Sequence, residues 1–123
     1  MFASPLPASH PALIDEISLE ELRQQLAGDA PPRVAEILGP SYFAQGHLPG
    51  AINLPLEGFA EHALRLLPEP GAPIVVYCAS ETCRNSDTAA RKLQALGYTQ
   101  VRVFRGGKAA WKAAGLSLEG APR

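Results

Sequence analysis

Short runs of β-forming residues alternate with helical stripes along this chain, and the alternation limits its possible folds more than any single residue does. Ser18-Leu19-Glu20-Glu21 reads as a capping box, and Leu19, Leu22 and Leu26 extend it as a helical stripe up to Gly28. Val34-Ala35-Glu36-Ile37-Leu38 follows as a strand, closed by Gly39-Pro40. A helical turn over 41–45 then leads into Gly46-His47-Leu48-Pro49-Gly50, which is dense in turn residues. Ala51-Ile52-Asn53-Leu54 is a short strand stopped by Pro55. From Leu56 to Leu67 the residues Leu56, Phe59, Ala60, Ala63, Leu64 and Leu67 mark one helix face. Ile74 to Tyr77 is four β-formers without a charge, the pattern of a buried strand. Ser86 is read as opening the next helix, with Ala89, Ala90, Leu93 and Leu96 on one side and Gly97 past its end. Val101 to Phe104 is a further strand, and Arg105-Gly106-Gly107 turns it into a last helix over 108–114, with Trp111 facing the core. Such an order predicts an α/β fold of three layers, a central mainly parallel sheet with helices on both faces.

In sheets of this kind ligands bind beyond the C-terminal ends of the strands. Cys78 and Arg105 both fall at such ends, so two separate parts of the chain point to one pocket, with Arg105 a candidate for its rim. Cys78 opens the loop Ala79-Ser80-Glu81-Thr82-Cys83-Arg84 between a buried strand and a helix. A loop feeding a helix N-terminus collects unpaired N–H groups and the positive end of the helix dipole. A thiolate there is expected to be stabilised and its pKa to fall, with Arg84 adding a fixed positive charge. The competing reading of Cys78 is a small core residue, and the Cys-x5-Arg loop favours the nucleophile. Cys83, inside the same loop, either resolves an adduct on Cys78 by forming a disulfide or fills space. Glu81 is expected to point to water and is given no role. His47 is read as a loop anchor bonded to backbone, with a catalytic base as the competing role.

A length of 123 residues suits one modest core, read as a domain over 13–123 behind an irregular N-terminal arm over 1–12 that carries Pro5, Pro7 and Pro11. Lysine and arginine total 11 against 12 acids, so no basic surplus points to nucleic acid. No apolar run is long enough to span a bilayer, and residues 1–7 lack the pattern of a signal peptide, so a cytoplasmic location is expected. The two cysteines are too close in sequence to staple a fold, and His10, His47 and His62 lie too far from them to suggest a metal site.

Four local patterns resemble the rhodanese-like domain family. Residues 42–55, Tyr42-Phe43-Ala44-Gln45-Gly46-His47-Leu48-Pro49-Gly50-Ala51-Ile52-Asn53-Leu54-Pro55, are similar to its first signature. Ile74-Val75-Val76-Tyr77-Cys78 resembles its catalytic strand and nucleophile, and Ser86-Asp87-Thr88-Ala89-Ala90 through Leu96-Gly97-Tyr98 its following helix. Val103-Phe104-Arg105-Gly106-Gly107, with Trp111 and Gly115-Leu116, resembles its closing signature; together the patterns span about 17–119. The resemblance implies sulfur transfer. Cys78 would take the outer sulfur of thiosulfate or a related donor as a persulfide, the N–H groups of 79–84 would cradle it, and a thiol or cyanide would remove it. It implies no metal, no organic cofactor and small sulfur-containing partners; a monomer or homodimer is expected, the sequence selecting neither.

Three features depart from the family pattern. The seven-residue loop from Cys78 to Arg84 is longer than in most sulfurtransferases and resembles those of cell-cycle phosphatases and arsenate reductases of the same fold. That keeps an arsenate reductase, phosphatase-like or thiol-redox enzyme as the alternative, with a non-catalytic regulatory module behind it. Cys83 is the second departure. The third is Glu36-Ile37-Leu38, where the family carries an acid and an arginine; the acid is present and the arginine is not.

Overall fold

The structure is a computed structural model that describes residues 14–120. The arm expected over 1–12 lies outside the described residues. Five strands form one sheet: β1 Asp15–Glu16, β2 Arg33–Glu36, β3 Ile52–Asn53, β4 Ile74–Tyr77 and β5 Val101–Val103. Their order across the sheet is β1-β5-β4-β2-β3, and every neighbouring pair is parallel. Helices α1 Leu19–Leu26, α2 Pro40–Ala44, α3 Phe59–Leu66 and α4 Asn85–Ala95 fill the connections, and α5 Gly107–Ala113 follows the last strand.

The two-residue period of the strands sorts their side chains into two cores. Ile74 and Val76 of β4 join Ala35, Val101 and Val103 against Phe59 and Ala63 of α3 and Ala89, Ala90 and Leu93 of α4. Val75 and Tyr77 point the other way, into Val34, Leu22 of α1 and Trp111 of α5. β4 is buried along its whole length, as its uncharged run requires. The predicted three-layer arrangement is therefore present, and the centre of the sheet delivers the residue after Tyr77 to its C-terminal edge.

Element ends moved by one to three residues. The helix expected to start at Leu56 begins at Phe59, after Gly58 in the left-handed region. The strand expected to reach Leu38 ends at Glu36, although Ile37 N–H still donates to Tyr77 O at 2.8 Å. Helix α1 is capped as expected, Ser18 Oγ accepting from Glu21 N–H at 3.1 Å. β1 was not anticipated. It is two exposed acids at the sheet edge, with no apolar alternation to announce it, and it pairs Asp15 with Arg102 and Glu16 with Val103.

Candidate active site at the end of the central strand

Cys78 follows β4 directly and is 2% exposed. Its S–H donates to the Cys83 carbonyl at 3.4 Å, and its sulfur lies 3.6 Å from Ser86 Oγ. The loop folds back on itself: Cys83 N–H donates to Ser80 O at 3.0 Å, and the Ser80 and Thr82 hydroxyls pair at 3.0 Å. Glu81 is exposed, Cys83 is half-buried, and both cysteines are free thiols.

Helix α4 starts at Asn85, one residue before the expected Ser86, and no side chain caps it. The reason is that Ser86 is buried with its hydroxyl against Cys78, while Asn85 Nδ2 reaches across to Ile37 O at 3.1 Å. Ser86 thus belongs to the surroundings of the sulfur rather than to the helix cap.

The fall in the Cys78 pKa expected from the sequence does not occur. Burial pushes the thiol up, the Cys83 side chain pushes it further, and the hydroxyl and N–H of Ser86 act in the opposite direction without prevailing. Of the groups expected to stabilise a thiolate, the N–H of Ser86 in the first turn of α4 does reach the sulfur, but the Arg84 charge does not. Arg84 turns outward, 78% exposed, and pairs with Asp87 at 3.4 Å. A second helix start, that of α5, meets the loop's carbonyls: after Gly107, whose N–H goes to Phe104 O, Lys108 N–H donates to Cys78 O at 3.0 Å and Ala109 N–H to Ala79 O at 2.9 Å. Arg105 does stand at the end of β5, but carboxylates hold it on two sides: Nε meets Glu16 at 2.9 Å and Nη1 meets Asp87 at 2.9 Å. Those guanidinium contacts hold the Asp87 carboxyl below its usual range.

The contact between α5 and the loop is close enough to require glycine. Gly107 has φ +61°, and a Cβ there would lie 2.2 Å from Cys78 O. Next to it, Lys108 carries the partner that Glu36 lacked in the sequence reading. Glu36 is fully buried; Tyr77 OH donates to it at 2.7 Å and Lys108 Nζ meets it at 3.1 Å. Lys108 Nζ also donates to Tyr42 O and Gly46 O at 2.9 and 2.7 Å. An ion pair is therefore present at the acid, supplied from far along the chain rather than from two residues away. His47 has the anchoring role: its Nδ1 is 2.9 Å from Phe43 O, its ring stacks on Phe43, and its backbone pairs with Glu119.

Two shallow depressions flank the loop. One of about 410 Å³ lies between Ser80, Glu81 and Thr82 and the small residues Gly106, Ala109 and Ala110. The other, about 270 Å³, runs past Ala79, Lys108, Lys112 and Gln45. A third of about 280 Å³ sits beside Pro73 and Ile74, where β4 begins, at the end of the sheet away from Cys78. Among the described residues no group of three or more His, Cys, Asp or Glu is placed to hold a metal ion, and no helix is long and apolar enough to cross a membrane.

Sequence reasoning missed Ser86, Asp87, Gly107 and Lys108 as parts of this site. The glycine pair after β5 was the available signal, since two successive glycines at a strand end allow two segments of backbone to approach.

Residues 18–114 match the family described as the rhodanese-like domain. A sulfurtransferase of Allochromatium vinosum is 33% identical over 107 residues, which cover 86% of this chain and 95% of that protein. The thiosulfate sulfurtransferase PspE of Escherichia coli is 36% identical over 62 residues, 50% of this chain and 58% of its own length. Among solved structures, the crystal structure of the Alr3790 protein from Anabaena sp. has a TM-score of 0.77 at 29% identity, covering 87% of this chain and 94% of that one. With the match running across four of the five strands and all five helices, the chain belongs to the rhodanese-like domain family.

Proposed function

We propose that the protein is a sulfurtransferase in which Cys78 carries sulfane sulfur as a persulfide, from a thiosulfate-like donor to a thiol or cyanide. The observation that carries the reading is a cysteine sulfur at the C-terminal end of the central strand, with the Ser86 hydroxyl and N–H at the sulfur. The likeness to proteins named as sulfurtransferases supports it.

In the first half of the cycle the Cys78 thiolate attacks the outer sulfur of thiosulfate, the donor S–S bond breaks, and sulfite leaves with the electron pair. The persulfide then sits within the loop, among the N–H groups of 79–82 and 84, that of Cys83 being turned to Ser80. In the second half an acceptor thiolate or cyanide attacks the outer sulfur and Cys78 leaves as thiolate. The depression beside Ser80, Glu81 and Thr82 is the proposed entry for donor and acceptor.

An oxyanion reductase or phosphatase draws less support, because Arg84 faces solvent and Asp87 rather than the sulfur. The test is thiosulfate-dependent formation of thiocyanate from cyanide by the wild type and by Cys78→Ser. Activity confined to the wild type is expected; equal activity in Cys78→Ser would sink the reading. A Cys78 that takes up no sulfur from any donor would favour the non-catalytic alternative.

A further inference from the structure

Cys83 has no part in that transfer cycle, yet it is built against the nucleophile. It sits five residues beyond Cys78 in a loop that the Cys83–Ser80 backbone bond folds back. Its carbonyl is 3.4 Å from Cys78 Sγ, which places its side chain one residue's length from the nucleophile. Both thiols are free; Cys78 is buried and Cys83 half-buried. A carrier that hands its sulfur only to an outside acceptor gains nothing from a second thiol in this position. A tethered thiol competes with every acceptor in solution, because its effective concentration is in the millimolar range or above.

Resting on the persulfide reading, we propose that Cys83 resolves the Cys78 persulfide, so that the protein also discharges sulfane sulfur as hydrogen sulfide through a Cys78–Cys83 disulfide. The Cys83 sulfur attacks Cys78 Sγ. The bond from Cys78 Sγ to the outer sulfur breaks, and the outer sulfur leaves with the electron pair and the Cys83 proton as hydrosulfide. The sulfane sulfur is reduced and the two cysteine sulfurs are oxidised to a disulfide. An external dithiol restores the protein. One of its thiolates attacks the more exposed Cys83 sulfur and Cys78 leaves. Its second thiol then expels Cys83 and the dithiol departs oxidised. The activity is therefore a dithiol-dependent reduction of sulfane sulfur, run by the same nucleophile as the transfer.

The test uses the full reduced chain under anaerobic conditions, with thiosulfate and no acceptor. Intact mass and released sulfide are followed for the wild type, Cys83→Ser and Cys78→Ser. The wild type is expected to end with two hydrogens lost and one equivalent of sulfide released. Cys83→Ser is expected to hold one added sulfur and to release sulfide at least about tenfold more slowly, the margin a tethered group provides. Cyanide added to loaded Cys83→Ser should then give thiocyanate in full yield, which shows that its loop is intact. If the wild type keeps its added sulfur as long as Cys83→Ser does, the proposal is overturned and the carrier reading stands. If neither protein gains sulfur, both are overturned together.

Discussion

Replacing Gly107 with alanine tests whether α5 holds the Cys78 loop in place by direct backbone contact. The residue is in the left-handed region, φ +61°, where an L side chain costs about 1–2 kcal/mol. The added Cβ would also stand 2.2 Å from Cys78 O, 3.0 Å from Cys78 C and 3.1 Å from Ala79 C. These are backbone atoms and cannot rotate aside, so helix and loop must separate by about 1 Å to reach ordinary contact, in an interior packed too closely to absorb it freely. Separation on that scale weakens the bonds from Lys108 N–H to Cys78 O and from Ala109 N–H to Ala79 O, each worth about 1 kcal/mol. Together these effects amount to about 4 kcal/mol, against a total stability of about 5–15 kcal/mol for a domain of this kind. Activity of the folded variant should fall as well, by about a hundredfold, because a nucleophile misplaced by about 1 Å loses that much. The assays are urea unfolding and cyanide-dependent sulfur transfer, the second at a temperature where the variant is folded. Gly115→Ala is the control at the other end of the same helix: φ is +80°, but a Cβ meets nothing within 4 Å. It should cost only the backbone penalty of about 1 kcal/mol and leave activity intact. Equal losses in the two variants would refute the argument from contact.

Three further outcomes are expected. Lys108→Met leaves the buried Glu36 carboxylate without its cation and should cost about 3–5 kcal/mol in urea unfolding, most of it recovered when Glu36→Gln is added; a double variant no better than the single refutes the pairing. Burial raises the Cys78 pKa, so its alkylation by iodoacetamide at pH 7 should be slower than that of free cysteine and should keep rising above the ordinary thiol range near ~8.5; a plateau below pH 7 refutes this. Asp87 is depressed first by its bond from Arg105, so it contributes stability above its unfolded pKa of about 3.9 that is lost as pH falls through the lower folded value. Arg105→Gln removes that contribution and should move acid unfolding to higher pH; unchanged acid midpoints refute it.

The layers of this fold were legible because periodicity is a direct imprint of burial. Ile74 to Tyr77 is uncharged since both of its faces are covered, and the helix stripes mark the sides that cover it. Cys78 was legible for a related reason, as the first residue past a buried run at the centre of the sheet. β1 left no imprint, since two exposed acids at an edge bury nothing. The partner of Glu36 was illegible because it comes from Lys108, distant in sequence, and a pair made across layers leaves no local spacing to read. Ser86 was misread because serine before an apolar helix face is the ordinary mark of a cap. Only the fold reveals that the cysteine sulfur lies 3.6 Å from its hydroxyl.

The same distinction explains why the electrostatics of the loop differ from the expectation. The helix expected to supply N–H groups, α4, does bring that of Ser86 to the sulfur, whereas α5, which the sequence did not place at the loop, meets its carbonyl oxygens. Lys108 and Ala109 N–H groups grip Cys78 O and Ala79 O. In a trans peptide the carbonyl and the following N–H point in opposite directions. Fixing those two carbonyls toward α5 therefore turns the N–H groups of Ala79 and Ser80 away from it. The helix acts on the site by orienting the loop's first peptide units, and the thiol is left protonated in the resting state, where burial outweighs the Ser86 contacts. Gly107 follows from the same arrangement, since α5 can grip those carbonyls only where no Cβ keeps the two backbones apart.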